Sequence, residues 1–486
     1  MRRLFRWWSL PLIYALAVYA IREMVPPPDA VAMTGEQVPA DGIRWLVDES
    51  WQNSAGQRQL TQQIFDTVLT MISQAKSLVL IDMFLYNAWQ GPVSENHRAL
   101  SSELTTALVN ARRENPELAV VLITDPVNTV YGGLQSSALG SLRAAGVHVV
   151  LTDLVKLQDS NPIYSGIWRW LIRPFGNSSR GALLPNPFGD GRVSVRSYLT
   201  LMNFKANHRK LAIADDGRGN LNALITSANP HDGSSAHRNV ALQFGGAAVE
   251  DLLMSERAVL DMSGARSAIA TIDSAVQTLR NSSSPVSNLE ATGLTLQVVN
   301  ESAIKNVLLD TLSDATGGDR VDLAMFYLSD RDVIQALKQA ASRGATVRAL
   351  LDVNSDAFGR RKNGVPNRPV AAELVTAGVA VRWCQTMGEQ CHAKTLQVIG
   401  QQSQSLLLGS GNFTRRNLDD YNLETDIIVR GSVSDPLMAR AARHFDRSWN
   451  NEGERIYSAA YERYADQSWW LRLQYRFMEA SGIGTF

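Results

Sequence analysis

The chain has 486 residues, too many for one ordinary core, and implies two domains of roughly 200 residues each. Hydrophobic residues make up 45% and charged residues 19%, an ordinary globular composition. Lys plus Arg number 47, as do Asp plus Glu, and this zero net charge argues against nucleic acid as the partner, since such proteins usually carry a basic excess.

The chain starts MRRLFR, then WWSLPLIYALAVYAI over residues 7–21. A positive stretch before about fifteen mostly apolar residues reads as a signal peptide or an uncleaved membrane anchor. The arginines should stay cytoplasmic and the rest be exported, to a bacterial-type periplasm or to the outer face of the inner membrane. Pro26, Pro27 and Pro28 follow as a stiff linker, which closes a leader of residues 1–28.

From residue 46 a pattern runs through the chain and is then written again. LVDES, an amphipathic stretch and SLVLIDMFLY occupy residues 46–86, and VVNES, a second amphipathic stretch and VDLAMFYL occupy residues 298–328. Each copy continues with a predicted helix, 100–112 and 332–343, and a buried-strand run, LAVVLITDPVN and ATVRALLDVNSD. Further on, Ser227 and Asn229 lie 183 positions before Ser410 and Asn412, as Asn239 lies before Asn422. Alternating short strands and helices predict an α/β fold with largely parallel sheets. Two copies predict two similar domains, 29–285 and 286–455, related by a pseudo-two-fold axis with a site between them. The boundary falls near NSSSPVSN, 281–288, and residues 456–486 read as a helical tail.

The first copy carries an insertion over about 154–207 that the second lacks. Its IYSGIWRWLIRPFG interleaves Trp168 and Trp170 with Arg169 and Arg173, which suits either a lipid–water interface or a lid packed on its own domain. The tail's WWLRLQYRFMEASG poses the same choice, with simple docking favoured. The only two cysteines, Cys384 and Cys391, either close a short loop or stay as free buried thiols.

Chemistry concentrates in two His-x-Lys steps, His208 with Lys210 and His392 with Lys394, each opening an apolar run. On a strand, residues i and i+2 share a face, so each imidazole projects with its ammonium. Ser227 with Asn229, and Ser410 with Asn412, repeat that spacing. Face to face, the copies would bring together two imidazoles, two ammoniums and two amides. Lysine charge and asparagine donors suit phosphate oxygens. One imidazole could attack phosphorus while the other protonates the leaving alcohol. No metal or other cofactor is needed, because the lysines supply the charge.

These motifs resemble the phospholipase D superfamily, whose signature is His-x-Lys-x4-Asp followed by a Gly/Ser-x-Asn stretch. The resemblance covers most of residues 40–455. His208, Lys210 and Asp215 match in full, with Ser227 and Asn229 behind them; His392 and Lys394 match the second copy, with Gly409, Ser410 and Asn412. It implies a covalent phosphohistidine, resolved by water or by another alcohol. Ile399 stands where the second signature has its acid, a local organiser more than a reacting group. The family also implies an acid some thirty residues past each histidine; Glu424 fits behind His392, while the first copy offers only Asn239. Family habit makes His208 the nucleophile and His392 the acid, although a carboxylate behind His392 argues the other way.

His231 and His237 read as a surface loop or a channel lining, and Asp125 and Asp352 as strand-end site residues or turn residues. The leading expectation is a membrane-associated phosphodiesterase or phosphatidyltransferase acting on phospholipids, with water or an alcohol as acceptor. Both half-sites lie in one chain, which is compatible with a monomer. An exported metal-independent nuclease, supported by basic clusters such as GRRKNG at 359–364, and a non-catalytic phosphate- or lipid-binding relic are the alternatives.

Overall fold

The computed structural model describes residues 31–91, 98–282, 293–357 and 360–484, with Ile13, Tyr14 and Ala17. The rest of the leader and most of the stretch 281–288 lie outside the described residues. Among the described residues no helix is long and apolar enough to cross a membrane.

The written repeat is a repeat in space. The first copy builds β1 (Asp41–Gln52), β2 (Arg58–Thr61), β3 (Leu78–Met83), β4 (Ala119–Thr124), β5 (His148–Leu151), β6 (Lys210–Asp215), β7 (Leu221–Thr226) and β8 (Asn239–Gly245). They lie in the order β2-β1-β8-β7-β6-β3-β4-β5. The second copy builds β9 (Thr295–Asn300), β10 (Arg320–Met325), β11 (Thr346–Leu351), β12 (Ala380–Cys384), β13 (Lys394–Ile399), β14 (Ser403–Gly409), β15 (Thr425–Ser432) and β16 (Ser458–Ala460). Their order is β9-β15-β14-β13-β10-β11-β12-β16, with Val38–Pro39 pairing beyond β9. Apart from the edges, the two orders superpose strand for strand.

The α/β class holds, but the sheets are mixed rather than mostly parallel. Parallel pairing is confined to β3-β4-β5 and β10-β11-β12, whose strands are joined through helices. All other neighbours, including the strands that open on His-x-Lys, pair antiparallel. The reason lies in the connections: β6 to β7 and β13 to β14 are short hairpins, which cannot cross over to a parallel partner. The tail is not wholly helical either. Its first part is β16, paired with β12, and the helix Trp469–Ser481 follows.

Runs such as LVLIDM are buried along their whole length because each sheet is covered on both faces. One core cluster draws on both halves, joining Leu80, Ile213 and Leu242 to Leu296, Leu408 and Ile427. Separate clusters fill the outer faces. The halves therefore share an interior and do not merely touch.

Two buried arginines cross that interior. Arg209, fully buried, donates to Glu256 at 2.8 Å in the first half and to Glu301 at 2.8 Å in the second. Arg238 donates to Ser50 Oγ at 2.9 Å and, across the interface, to Tyr457 O at 2.7 Å and to Gln385 O. Removing one partner of such a cluster strands the remaining charges in a dry interior. Arg209→Met is therefore expected to cost about 3–5 kcal/mol of stability, read as a lower urea midpoint.

Candidate active site between the two halves

Each histidine sits two residues before the lysine that opens its strand and is tied by its own backbone to the opposite half. His208 N donates to Leu423 O at 2.8 Å, and Leu423 N donates back to Ala206 O at 3.0 Å. Its counterpart, His392 N, donates to Arg238 O at 2.9 Å, and Arg238 N to Gln390 O at 3.0 Å. These crossed bridges place the next residue of each opposing segment behind the imidazole.

Behind His208 that residue is Glu424. His208 Nδ1 lies 2.7 Å from Glu424 Oε1. Ser410 Oγ donates to Glu424 Oε2 at 2.5 Å, Asn417 Nδ2 donates to Oε1, and Glu424 N donates to Glu301 at 3.1 Å. Burial would raise this carboxyl, but His208 and Lys210 outweigh it and hold it below its usual range. An ionised carboxylate only accepts, so Nδ1 carries the proton and Nε2 is left as a lone pair.

Behind His392 stands Asn239. His392 Nδ1 donates to Ser227 O at 2.9 Å and faces Asn239 Oδ1 at 3.2 Å, while Ser227 Oγ donates to Asn239 Oδ1 at 3.0 Å. A peptide carbonyl cannot donate, which fixes the same tautomer. Two sequence expectations change here. Glu424 serves His208 in the opposite half, not His392 in its own. Asn239 corresponds to Glu424 and not to Asn422, because strand pairing equates Thr226–Ala241 with Gly409–Asp426, a shift of two residues from the written register.

The lysines complete the symmetry. Lys210 Nζ donates to His208 O at 2.5 Å and Lys394 Nζ to His392 O at 2.8 Å. Phe84 and Phe326, next to β3 and β10, sit with ring centroids 4.8 Å from His208 and His392, and 5.2 and 5.3 Å from the two ammoniums. Burial brings the His208 imidazole down to about 4, Lys210 and Lys394 adding to the fall and Glu424 opposing it. It brings Lys210 down to about 7 and pushes Lys394 and His392 well below their usual ranges. Both imidazoles are thus held neutral, and a bound anion would favour the charged forms of the two lysines.

Asp125 and Asp352 are matched braces. Asp125 accepts from Asn207 N at 2.7 Å and Asp352 from Cys391 N at 2.8 Å, so each holds the residue just before a histidine. Cys384 and Cys391 form a disulfide that closes the loop leading into His392. Asn229 accepts from Leu85 N at 3.1 Å, and Asn412 is buried at the equivalent position. His231 and His237 are buried, not on a surface loop, and the His237 ring lies 5.7 Å from His392.

Asp215 lies apart from this group. It ends β6, and at about 3.3 Å per residue that puts it about 17 Å along the strand from Lys210. There it accepts from the backbone N–H of Lys76, Ser77 and Leu78 and fixes the entry into β3. In the second half the entry into β10 is held by Asp319, which accepts from Thr316 N at 2.9 Å. The second half thus closes this loop with a local carboxylate, whereas Ile399 offers none.

Residues 308–449, which contain His392, Lys394, Ser410, Asn412 and Glu424, match the family model described as "Cardiolipin synthase, PLD-like domain". That stretch is similar to a phospholipase D-like domain. Its fold is similar to a phosphatidylserine synthase from Haemophilus influenzae Rd KW20, with a TM-score of 0.56 and 11% identity over 92% of this chain and 95% of that one. The phospholipase D family member Nuc from Salmonella typhimurium aligns with 32% of this chain and 95% of its own, at 18% identity and a TM-score of 0.27. Among curated proteins none matches in sequence.

Asn417 and Glu301 carry no motif signal in the sequence. Asn417 sits on the short helix Arg415–Leu418, outside any repeat signal, whereas the Met-Phe step at 83–84 and 325–326 was readable in both copies. The pKa values carry a testable sign. A bound oxyanion favours charged Lys210, so binding above pH 7 must take up protons, and affinity must fall as pH rises past about 7. Calorimetry with inorganic phosphate at pH 8, in two buffers of different ionisation enthalpy, is expected to show that uptake, and Lys210→Met is expected to abolish it.

Proposed function

We propose that the chain transfers or hydrolyses the phosphatidyl group of a phospholipid through a covalent phosphohistidine on His208. The observation that carries this reading is the Glu424–His208 pair. When Nε2 of His208 attacks phosphorus, an N–P bond forms, the P–O ester bond breaks and the imidazole ring becomes cationic. Only the histidine with an ionised carboxylate on Nδ1 has its positive charge matched.

His392 has neutral acceptors instead. They orient its ring without trapping a charge there, which suits a group that gives a proton to the leaving alkoxide and takes one back from the incoming water or alcohol. His392 takes that proton from solvent once the diester is bound, because the diester's negative charge offsets Lys394 and Lys210. Ser227, Asn229, Ser410 and Asn412 line or brace the floor, and the two lysines bind the phosphate oxygens. The lysines do the charge neutralisation that a metal would otherwise do, so turnover is expected in EDTA.

A phospholipid substrate is favoured by the zero net charge and by the family description matched over residues 308–449. Purified chain offered phosphatidylglycerol, phosphatidylcholine and single-stranded DNA in EDTA separates the readings. Phosphatidic acid or cardiolipin is the expected product, and cleavage of DNA alone would refute the lipid reading. With lipid labelled on phosphorus, His392→Ala is expected to retain label on His208, and His208→Ala to take none. Label on His392 would reverse the roles. Glu424→Gln keeps the shape but not the charge, and is expected to lower kcat by about a hundredfold to ten-thousandfold, whereas Asn239→Ala should affect protonation of the leaving group and so spare substrates with a good leaving group.

A further inference from the structure

Among the described residues, 20 large hydrophobic side chains are exposed, and 13 of them fall in two short segments, eight in 163–202 and five in 469–483. On the insertion helix Pro162–Leu171, Ile163, Ile167, Trp170 and Leu171 recur at helical spacing on one face, while Trp168 on the other is buried. On the C-terminal helix Trp469–Ser481, Trp469, Leu473 and Phe477 do the same beside Trp470, while Tyr475 is buried and its hydroxyl accepts from Arg331 Nη1 of the second half at 2.8 Å. Each helix is thus docked by one face and bare on the other.

The two helices meet at their ends. Gly482, at the end of the C-terminal helix, lies against the backbone of Ser160 just before the insertion helix, too close to admit a Cβ. They also border the active site. Arg415 N donates to Glu479 Oε1 at 2.8 Å, and the same short helix carries Asn417, which donates to Glu424. The Tyr14 ring lies 6.0 Å from Trp170.

Charge identifies the occupant. Residues 160–205 contain six Lys or Arg and one Asp or Glu, in a chain whose net charge is zero; Arg169 and Lys205 are buried against Asp159, which leaves Arg173, Arg180, Arg192 and Arg196 for the surface. Arg173 and Arg180 are exposed beside the insertion helix, and Arg472 and Arg476 flank the bare face of the C-terminal one. Apolar side chains with tryptophan, ringed by arginine, match the boundary between acyl chains and anionic headgroups. We propose that these two helices seat the chain on the surface of an anionic phospholipid bilayer, with the mouth of the active site turned to the lipid. The docking surface stands on exposure and charge; its orientation rests on the phospholipid reading above.

Hydrogen exchange on the full chain in vesicles tests this, because any N-terminal anchoring is common to every arm. In phosphatidylglycerol-containing vesicles, amides of 163–171 and 469–477 are expected to exchange about tenfold more slowly than in phosphatidylcholine alone. Ile167→Ser with Trp170→Ser, and Trp470→Ser with Phe477→Ser, are expected to remove that protection and raise KM for vesicle lipid about tenfold, leaving kcat on a soluble short-chain diester unchanged. Equal exchange in both vesicle types, or serine variants as protected as the wild type, would overturn the proposal. Protection without lipid turnover would uphold docking and remove the phospholipid reading; lipid turnover without protection would remove docking alone.

Discussion

The site depends on a crossing of backbones. Two pairs of main-chain hydrogen bonds tie the residue before each histidine to a segment of the other half, and whatever follows in that segment is set behind the imidazole. The orienting group is therefore always supplied in trans. Everything nearby serves this placement: Asp125 and Asp352 brace the approach to each histidine, Arg209 and Arg238 pin the halves from below, and one hydrophobic core runs beneath both sheets. A buried charge cluster is costly unless its members are held to fractions of an ångström, and a shared core is the means of holding them.

The repeated strands, the helices between them and the reacting pairs were legible because they follow from local rules: period-2 burial, hairpin spacing, and two His-x-Lys steps in register. Sheet direction was not legible from alternation alone. Strands such as β6 and β7, joined by a short turn, must run antiparallel, and that detail outweighs the helix-strand alternation elsewhere. The partner of Glu424 was misplaced for a related reason. Sequence distance pointed to His392 in the same copy, whereas the contact is made by tertiary pairing across the interface. No one-dimensional offset reveals a trans contact, and the two extra residues before β15 further obscured the match with Asn239.

Asp215 shows how a motif residue can be read correctly by pattern and still belong to the scaffold. Its carboxylate collects backbone donors at the far end of the strand. Where Ile399 replaces it, Asp319 closes the corresponding loop from another position. The constraint is on the loop before the central strand, and more than one acid can satisfy it. The buried histidines of PHDGSSAH, by contrast, looked like loop residues because glycine and serine surround them; the loop folds inward against the second half.

A duplicated chain could have built two interchangeable half-sites. Here one imidazole leans on a carboxylate and the other on an amide and a peptide carbonyl, with a disulfide beside only the second. Such a site has a polarity. Under the mechanism we propose, a phosphodiester with two different arms has one productive way to lie in it, the retained arm on the phosphorus bound by His208 and the departing arm toward His392. The single change between Glu424 and Asn239 turns a two-fold axis into an arrow.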